Sequence, residues 1–194
     1  MTRNIFFLCG LLCILISCNN VNSKNDKKKE QESISDTISL TNTKESGKDY
    51  LEIGFELMKN EEVGGIKTNL TFEKITQILG EPEEKTEPEF SNVDGWYYQA
   101  MNYKSKGLYL IFKINTDSVK TVENILLKDP CVFKTSRQIG IGSSYEEVEK
   151  AYKDYINPEF SDEESIVTGS IYGGIVFTLE NKKVKTIYIG ISGD

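Results

Sequence analysis

The 194-residue chain has no histidine, and three of its four cysteines (Cys9, Cys13 and Cys18) lie near the amino terminus. Cys131 is the one thiol in the remainder. Without histidine the chain lacks the usual general base near neutral pH and the commonest metal ligand. Nothing in the sequence activates Cys131 as a nucleophile, so a buried structural thiol is expected there. A single cysteine builds neither a disulfide framework nor a thiolate zinc cage. Carboxylates are plentiful, in the runs Glu81, Glu83, Glu84, Glu87, Glu89 and Asp162, Glu163, Glu164. A calcium loop needs oxygens at alternating positions around a glycine turn, and neither run has that spacing. Both read as solvated loops that would steer a basic partner electrostatically. Paired carboxylates for glycoside hydrolysis need a cleft, which a small meander is not expected to supply. The expectation is therefore a protein that is not an enzyme, with no catalytic residue, no metal and no cofactor.

The residue types that remain suited to recognition are aromatic. Trp96, Tyr97, Tyr98, Tyr103 and Tyr109 offer large rigid contact area with a polar tip. Strand alternation separates Trp96, Tyr98 and Ala100 from Tyr97, Gln99 and Met101. With the Trp96 side expected to face the core, the candidate protein-binding face is Tyr97, Gln99, Met101, Tyr103 and Tyr109. From Asp49 onward 16 Lys and Arg stand against 25 Asp and Glu, a net charge of −9. That argues against nucleic acid, which is held mainly by cations on phosphates, and against a domain lying on anionic lipid.

The elements that must position these residues follow from periodicity. Arg3 opens a short positive region, and Ile5 to Ile16 is an almost continuous apolar run, too short to span a bilayer comfortably and ending at the small Ser17. It reads as a signal peptide over residues 1–17. Residues 18–48 are rich in Asn, Ser, Thr, Lys and Glu and read as a flexible tether. Residues 49–194 form the folded part, with alternating apolar residues from about Tyr50.

Four segments of this part match in the same order, which points to an internal repeat. Asn69 to Ile75 corresponds to Gly142 to Val148, and Pro88-Glu89-Phe90-Ser91 recurs as Pro158-Glu159-Phe160-Ser161. Leu110 to Ile114 corresponds to Ile175 to Leu179, and Val122 to Leu127 to Val184 to Ile189. Copy one covers about 49–130 and copy two about 131–194. In each copy a residue tolerant of positive φ (Asn69 or Gly142) precedes a capping hydroxyl (Thr71 or Ser144) and an amphipathic helix. The helical faces are Phe72, Ile75, Ile78, Leu79 and Tyr145, Val148, Ala151, Tyr152, with Gly80 and Pro82 ending the first. Strands are expected over Trp96–Tyr103, Leu108–Ile114 and Val122–Leu127, then over Ser165–Tyr172, Ile175–Leu179 and Val184–Ile191. The expected fold class is α+β: two tandem repeats, each a helical segment packed on a small antiparallel β-meander sheet.

Two resemblances carry these observations further. Leu15, Ile16, Ser17, Cys18 resembles the lipobox of bacterial lipoproteins, which implies cleavage before Cys18, lipidation of Cys18 and attachment to a membrane of the cell envelope. Ile66 to Ile75 followed by Leu79-Gly80-Glu81-Pro82 resembles the "G-M-[ST]-x-x-[EQ]-V … L-G-x-P" pattern of the SmpA/OmlA (BamE) outer-membrane lipoproteins. The tandem arrangement is similar to that of the β-lactamase inhibitory protein. Asn69 stands where the pattern prefers glycine, and copy two has Tyr152-Lys153-Asp154 in place of the Leu-Gly-x-Pro ending. The resemblance implies an outer-membrane lipoprotein that binds another protein, as an accessory or scaffold subunit. Its alternatives are an inhibitor or immunity-type protein blocking an enzyme cleft, and a small-ligand-binding lipoprotein.

Overall fold

The computed structural model describes residues 47–191. The leader, Cys18 and nearly all of the tether lie outside the described residues, so the lipobox expectation is not addressed by the fold.

Among the described residues there are three short α-helices. α1 (Tyr50–Asn60) starts at Asp49, whose carboxylate accepts from the N–H groups of Leu51 and Glu52. α2 (Phe72–Leu79) is capped by Thr71 and ends at Gly80, whose φ of 80° suits glycine. α3 (Tyr145–Tyr152) carries a capping box in which Ser144 and Glu147 satisfy each other's backbone N–H groups. α2 and α3 occupy the expected places. α1 was not anticipated from the alternating pattern after Tyr50, because Gly54 in its middle lowers helix propensity. The glycine is required by packing: a Cβ on Gly54 would lie 1.8 Å from the Gly173 carbonyl oxygen, and one on Gly169 would lie 2.3 Å from Gly54 Cα.

The strands are β1 (Glu84–Lys85), β2 (Glu89–Phe90), β3 (Tyr97–Tyr103), β4 (Leu108–Ile114), β5 (Lys120–Lys128), β6 (Ser165–Ser170), β7 (Gly173–Glu180) and β8 (Lys183–Gly190). They form one antiparallel sheet in the order β1-β3-β4-β5-β8-β7-β6, with β2 also on β3.

This corrects the α+β expectation of two tandem helix-on-meander repeats. The molecule is sheet-dominated, and a single eight-stranded sheet replaces the two small ones. The joint is β5 against β8, where Ile125 to Lys128 pair with Ile189 to Thr186. Left separate, these two strands would each present an unpaired edge beside apolar side chains; pairing satisfies both rows of backbone groups and makes one core. Helices of 11, 8 and 8 residues are too short to form an equal second layer.

Some local construction is shared between the two halves. Asn69 (φ 66°) donates its N–H to Val122 O at 2.7 Å, and Gly142 (φ 85°) donates to Val184 O at 2.8 Å. Each half also has one β-bulge. Glu123 is the extra residue on β5 opposite Ile111 and Phe112, and Lys185 is the extra residue on β8 opposite Thr178 and Leu179.

The core is built from rows that cross the sheet. Tyr103, Leu108, Leu127, Ile187, Phe177 and Ile166 form one, and Met101, Leu110, Ile125, Ile189 and Ile175 the next, all buried. Phe72 of α2 meets Phe112 edge-on at 5.8 Å, and Tyr152 of α3 lies 4.9 Å from Phe177, so both helices cover this face. The expected orientation of β3 is therefore inverted. Gln99, Met101 and Tyr103 point into the core, while Tyr98, Ala100 and Asn102 lie on the other face and remain partly exposed. The register decides this: Gln99, Met101 and Tyr103 sit opposite Phe112, Leu110 and Leu108, the strongly apolar positions of β4.

Candidate functional site on the open face of the sheet

The face opposite α2 and α3 carries a second set of rows. Asn102, Tyr109, Leu126, Tyr188 and Val176 are successive cross-strand neighbours over β3, β4, β5, β8 and β7. Each is partly exposed, so a band of two tyrosines, a leucine and a valine meets solvent. Ala100, Ile111 and Asn124 form the adjoining row, and Tyr98 and Lys113 the one after it. The alternation that buries one face leaves these residues on the other, and Lys113 is the one charged side chain among those named.

At one end the band meets a polar and aromatic cluster. In the loop before β3, Asp94 accepts from the Trp96 N–H at 3.3 Å. Asp94 also accepts from the Tyr98 hydroxyl and lies 3.7 Å from Lys113 Nζ. Lys113 Nζ sits 4.9 Å from the Trp96 ring centroid and 6.0 Å from that of Tyr98. Burial and the bond to Asp94 push the Tyr98 hydroxyl above its ordinary range, while that bond holds Asp94 below the usual carboxylate range. The beginning of β5 lies beside this cluster. There Tyr98, Ile111, Lys113, Glu123 and Asn124, with Ile191 after β8, line a cavity of about 530 Å³. Tyr188 bridges to the same place by donating to Ile191 O at 2.7 Å, and burial pushes its hydroxyl up to about 12.

Of the expected binding face, Tyr97 is half exposed at the edge, with the Phe90 ring tilted by 59° against it at 5.1 Å. Tyr109 belongs to the open-face band. Gln99 is buried, its amide donating to Thr86 O at 2.6 Å and its carbonyl accepting from Lys120 Nζ at 2.6 Å. Met101 and Tyr103 are fully enclosed, and the Tyr103 hydroxyl has no partner among the described residues. Burial pushes that hydroxyl up to about 12. The expected patch is thus not a contiguous surface. Leu126, Tyr188 and Val176, which sequence reading did not single out, continue it from Tyr109 instead. Their signal was present as the second periodicity of each strand, but without the β5–β8 pairing nothing aligned them.

A second concavity of about 410 Å³ lies between α1 and the segment Arg137 to Tyr155, lined by Glu52, Ile53, Glu56, Leu57, Arg137 and Tyr155. Arg137 is held there by the buried Glu61 at 2.7 Å and sits 5.0 and 4.9 Å from the rings of Tyr152 and Tyr155. Glu61 also accepts from the Ser136 N–H at 2.8 Å and the Tyr152 hydroxyl at 3.1 Å. This is a satisfied structural network.

Cys131 is buried, and desolvation raises its thiol. Glu81 pairs with Lys85, Glu84 with Lys104, and Glu83 accepts from Ser105. Asp162 closes a turn onto the N–H groups of Glu164 and Ser165. Among the described residues no group of three acidic, cysteine or histidine side chains is placed to hold a metal ion, and no helix is long and apolar enough to cross a membrane. No protein-family model matches the chain, and no curated protein or solved structure matches it.

Proposed function

We propose that the protein is an envelope lipoprotein, anchored through Cys18, whose folded part binds another protein through the open face of its sheet as an accessory or scaffold subunit. The observation that carries the reading is the partly exposed band Tyr109, Leu126, Tyr188 and Val176, continuous across four paired strands and unlike a solvated face. A rigid sheet presenting aromatic and aliphatic side chains flanked by polar ones has the composition of a protein-binding surface. The leader, the small residue before Cys18 and the polar stretch that follows support the anchor. Several acyl chains on one cysteine, at about 0.8 kcal/mol per buried methylene, give an attachment that does not reverse.

The test uses the full chain in its own envelope. Radiolabelled palmitate should enter the protein and be lost with Cys18→Ser. In-cell crosslinking from the open face should give a discrete adduct, which Leu126→Glu abolishes without changing the circular dichroism spectrum. An adduct indifferent to Leu126→Glu would remove the open face from the function, and unlabelled protein would remove the anchor.

A further inference from the structure

We infer that the open-face cavity at the start of β5, bordered by Ile191, is a receptor for a basic side chain, arginine or lysine, carried by the protein partner. The inference rests on the proposal that the open face binds protein and adds the chemistry of one anchor point.

β5 and β8 are hydrogen-bonded only over Ile125–Lys128 and Thr186–Ile189. The ladder ends at Ile125 and Ile189, and the next residue of β5, Asn124, lies against Gly190 and accepts the Ile191 N–H at 2.9 Å through Oδ1. The β5 bulge falls at this point. An extra residue in one strand re-aims a side chain that plain alternation would send inward, and Glu123 lines the same open-face cavity as its neighbour Asn124. Glu123 and Ile191 also line a smaller cavity of about 200 Å³ that reaches Met58 and Lys59 of α1.

The Glu123 carboxylate is uncommitted. It takes part in no ion pair among the described residues. Burial raises its carboxyl, and Lys113 only partly opposes this. Lys113 is already paired with Asp94 and set against two aromatic rings. The cation on the far side, Lys59, lies 4.0 Å from Glu56. A partly desolvated carboxylate gains most from a charged donor brought to it. The walls around it fit the rest of such a side chain: Tyr98, Ile111 and Ile191 are suited to the methylene stem of arginine or lysine, whose head would reach Glu123. An anionic ligand would meet both Glu123 and Asp94. The net charge of −9 from Asp49 onward favours a basic partner at long range as well.

The probes are the peptides acetyl-Leu-Arg-Leu-amide and its citrulline analogue, which keeps the shape and removes the charge. Binding to the full chain in detergent micelles is measured by calorimetry. The arginine peptide should bind about tenfold tighter than the citrulline peptide, equivalent to about 1.4 kcal/mol. Glu123→Gln should erase that difference, Glu163→Gln on a distant loop should leave it, and Glu123→Lys should transfer the preference to acetyl-Leu-Glu-Leu-amide. Equal binding of the first two peptides, absence of saturable binding, or a preference that survives Glu123→Gln overturns the inference. In the crosslinking assay, an adduct lost with Leu126→Glu but untouched by Glu123→Gln overturns this anchor and leaves the open-face proposal standing. An adduct indifferent to both overturns both.

Discussion

Replacing Gly54 by alanine sets helix propensity directly against packing. In an isolated helix the change would stabilise α1 by about 1 kcal/mol, because glycine loses more backbone entropy than alanine on folding. In the folded protein the new Cβ would lie 1.8 Å from the Gly173 carbonyl oxygen, 2.8 Å from its carbon and 3.1 Å from the Ser170 N–H nitrogen. These are backbone atoms of the β6–β7 hairpin, so no side chain can rotate away. Either α1 lifts or the hairpin bends, by about 1 Å, and such overpacking costs roughly 1–3 kcal/mol and occasionally more. α1 also contributes the buried Leu57 and Met58, whose contacts weaken as it lifts. The net expectation is destabilisation by about 1–2 kcal/mol. Gly80→Ala provides the comparison: at φ 80° and ψ −167° its backbone is one that essentially only glycine adopts, and nothing lies within 4 Å of its Cβ, so it carries conformational strain of about 1–3 kcal/mol without a clash. Urea unfolding of the Cys18→Ser full chain, with the m-value checked for each variant, measures both. If Gly54→Ala raises stability, α1 does not sit on the hairpin at the distance described.

Other expectations concern buried charge, capping and alkaline pH. Glu61→Gln removes the counter-ion of Arg137 and puts an amide NH2 where an oxygen accepts from Tyr152, leaving one oxygen for the Ser136 N–H, and should cost about 3 kcal/mol in urea unfolding. A loss below 1 kcal/mol would mean the network is dispensable. Ser144→Ala breaks the capping box of α3 and should cost about 1 kcal/mol by the same measurement, more than an alanine at an exposed mid-helix position. Tyr103→Phe removes a buried hydroxyl that has no partner among the described residues, so stability should hold or rise by about 1 kcal/mol. Tyr103 and Tyr188 are both pushed up to about 12, and Tyr98 and Tyr152 are also raised. The unfolded chain therefore releases these protons first, near pH 10, and stability should fall between about pH 10 and 12. Unfolding midpoints followed against pH check this, and a midpoint unchanged through that interval refutes it.

Several features were legible in the residues alone because their causes are local. Thr71 and Ser144 stand before amphipathic stretches, and each caps its own first turn whatever the surroundings. Leu108–Ile114 alternates and pairs as expected from its own pattern, and the absence of histidine restricts the chemistry however the chain folds. β5 and β8 each carry a bulge, and Val122 O and Val184 O accept from the Asn69 and Gly142 N–H groups.

What required the tertiary structure depends on partners distant in sequence. The face of β3 that is buried follows from its register on β4, since alternation defines two faces and does not say which one meets the helices. α1 is helical through a glycine because that glycine lets it approach Gly169 and Gly173, more than a hundred residues away. The joining of β5 to β8 turns two expected sheets into one, aligns Leu126 with Tyr188 and borders the cavity at Glu123 with Ile191. Residue type and spacing determine which short segments form, because caps and periodicity act within a few residues. Burial of the two inner strand edges decides how those segments assemble, because pairing with another strand satisfies a whole row of edge N–H and C=O groups at once.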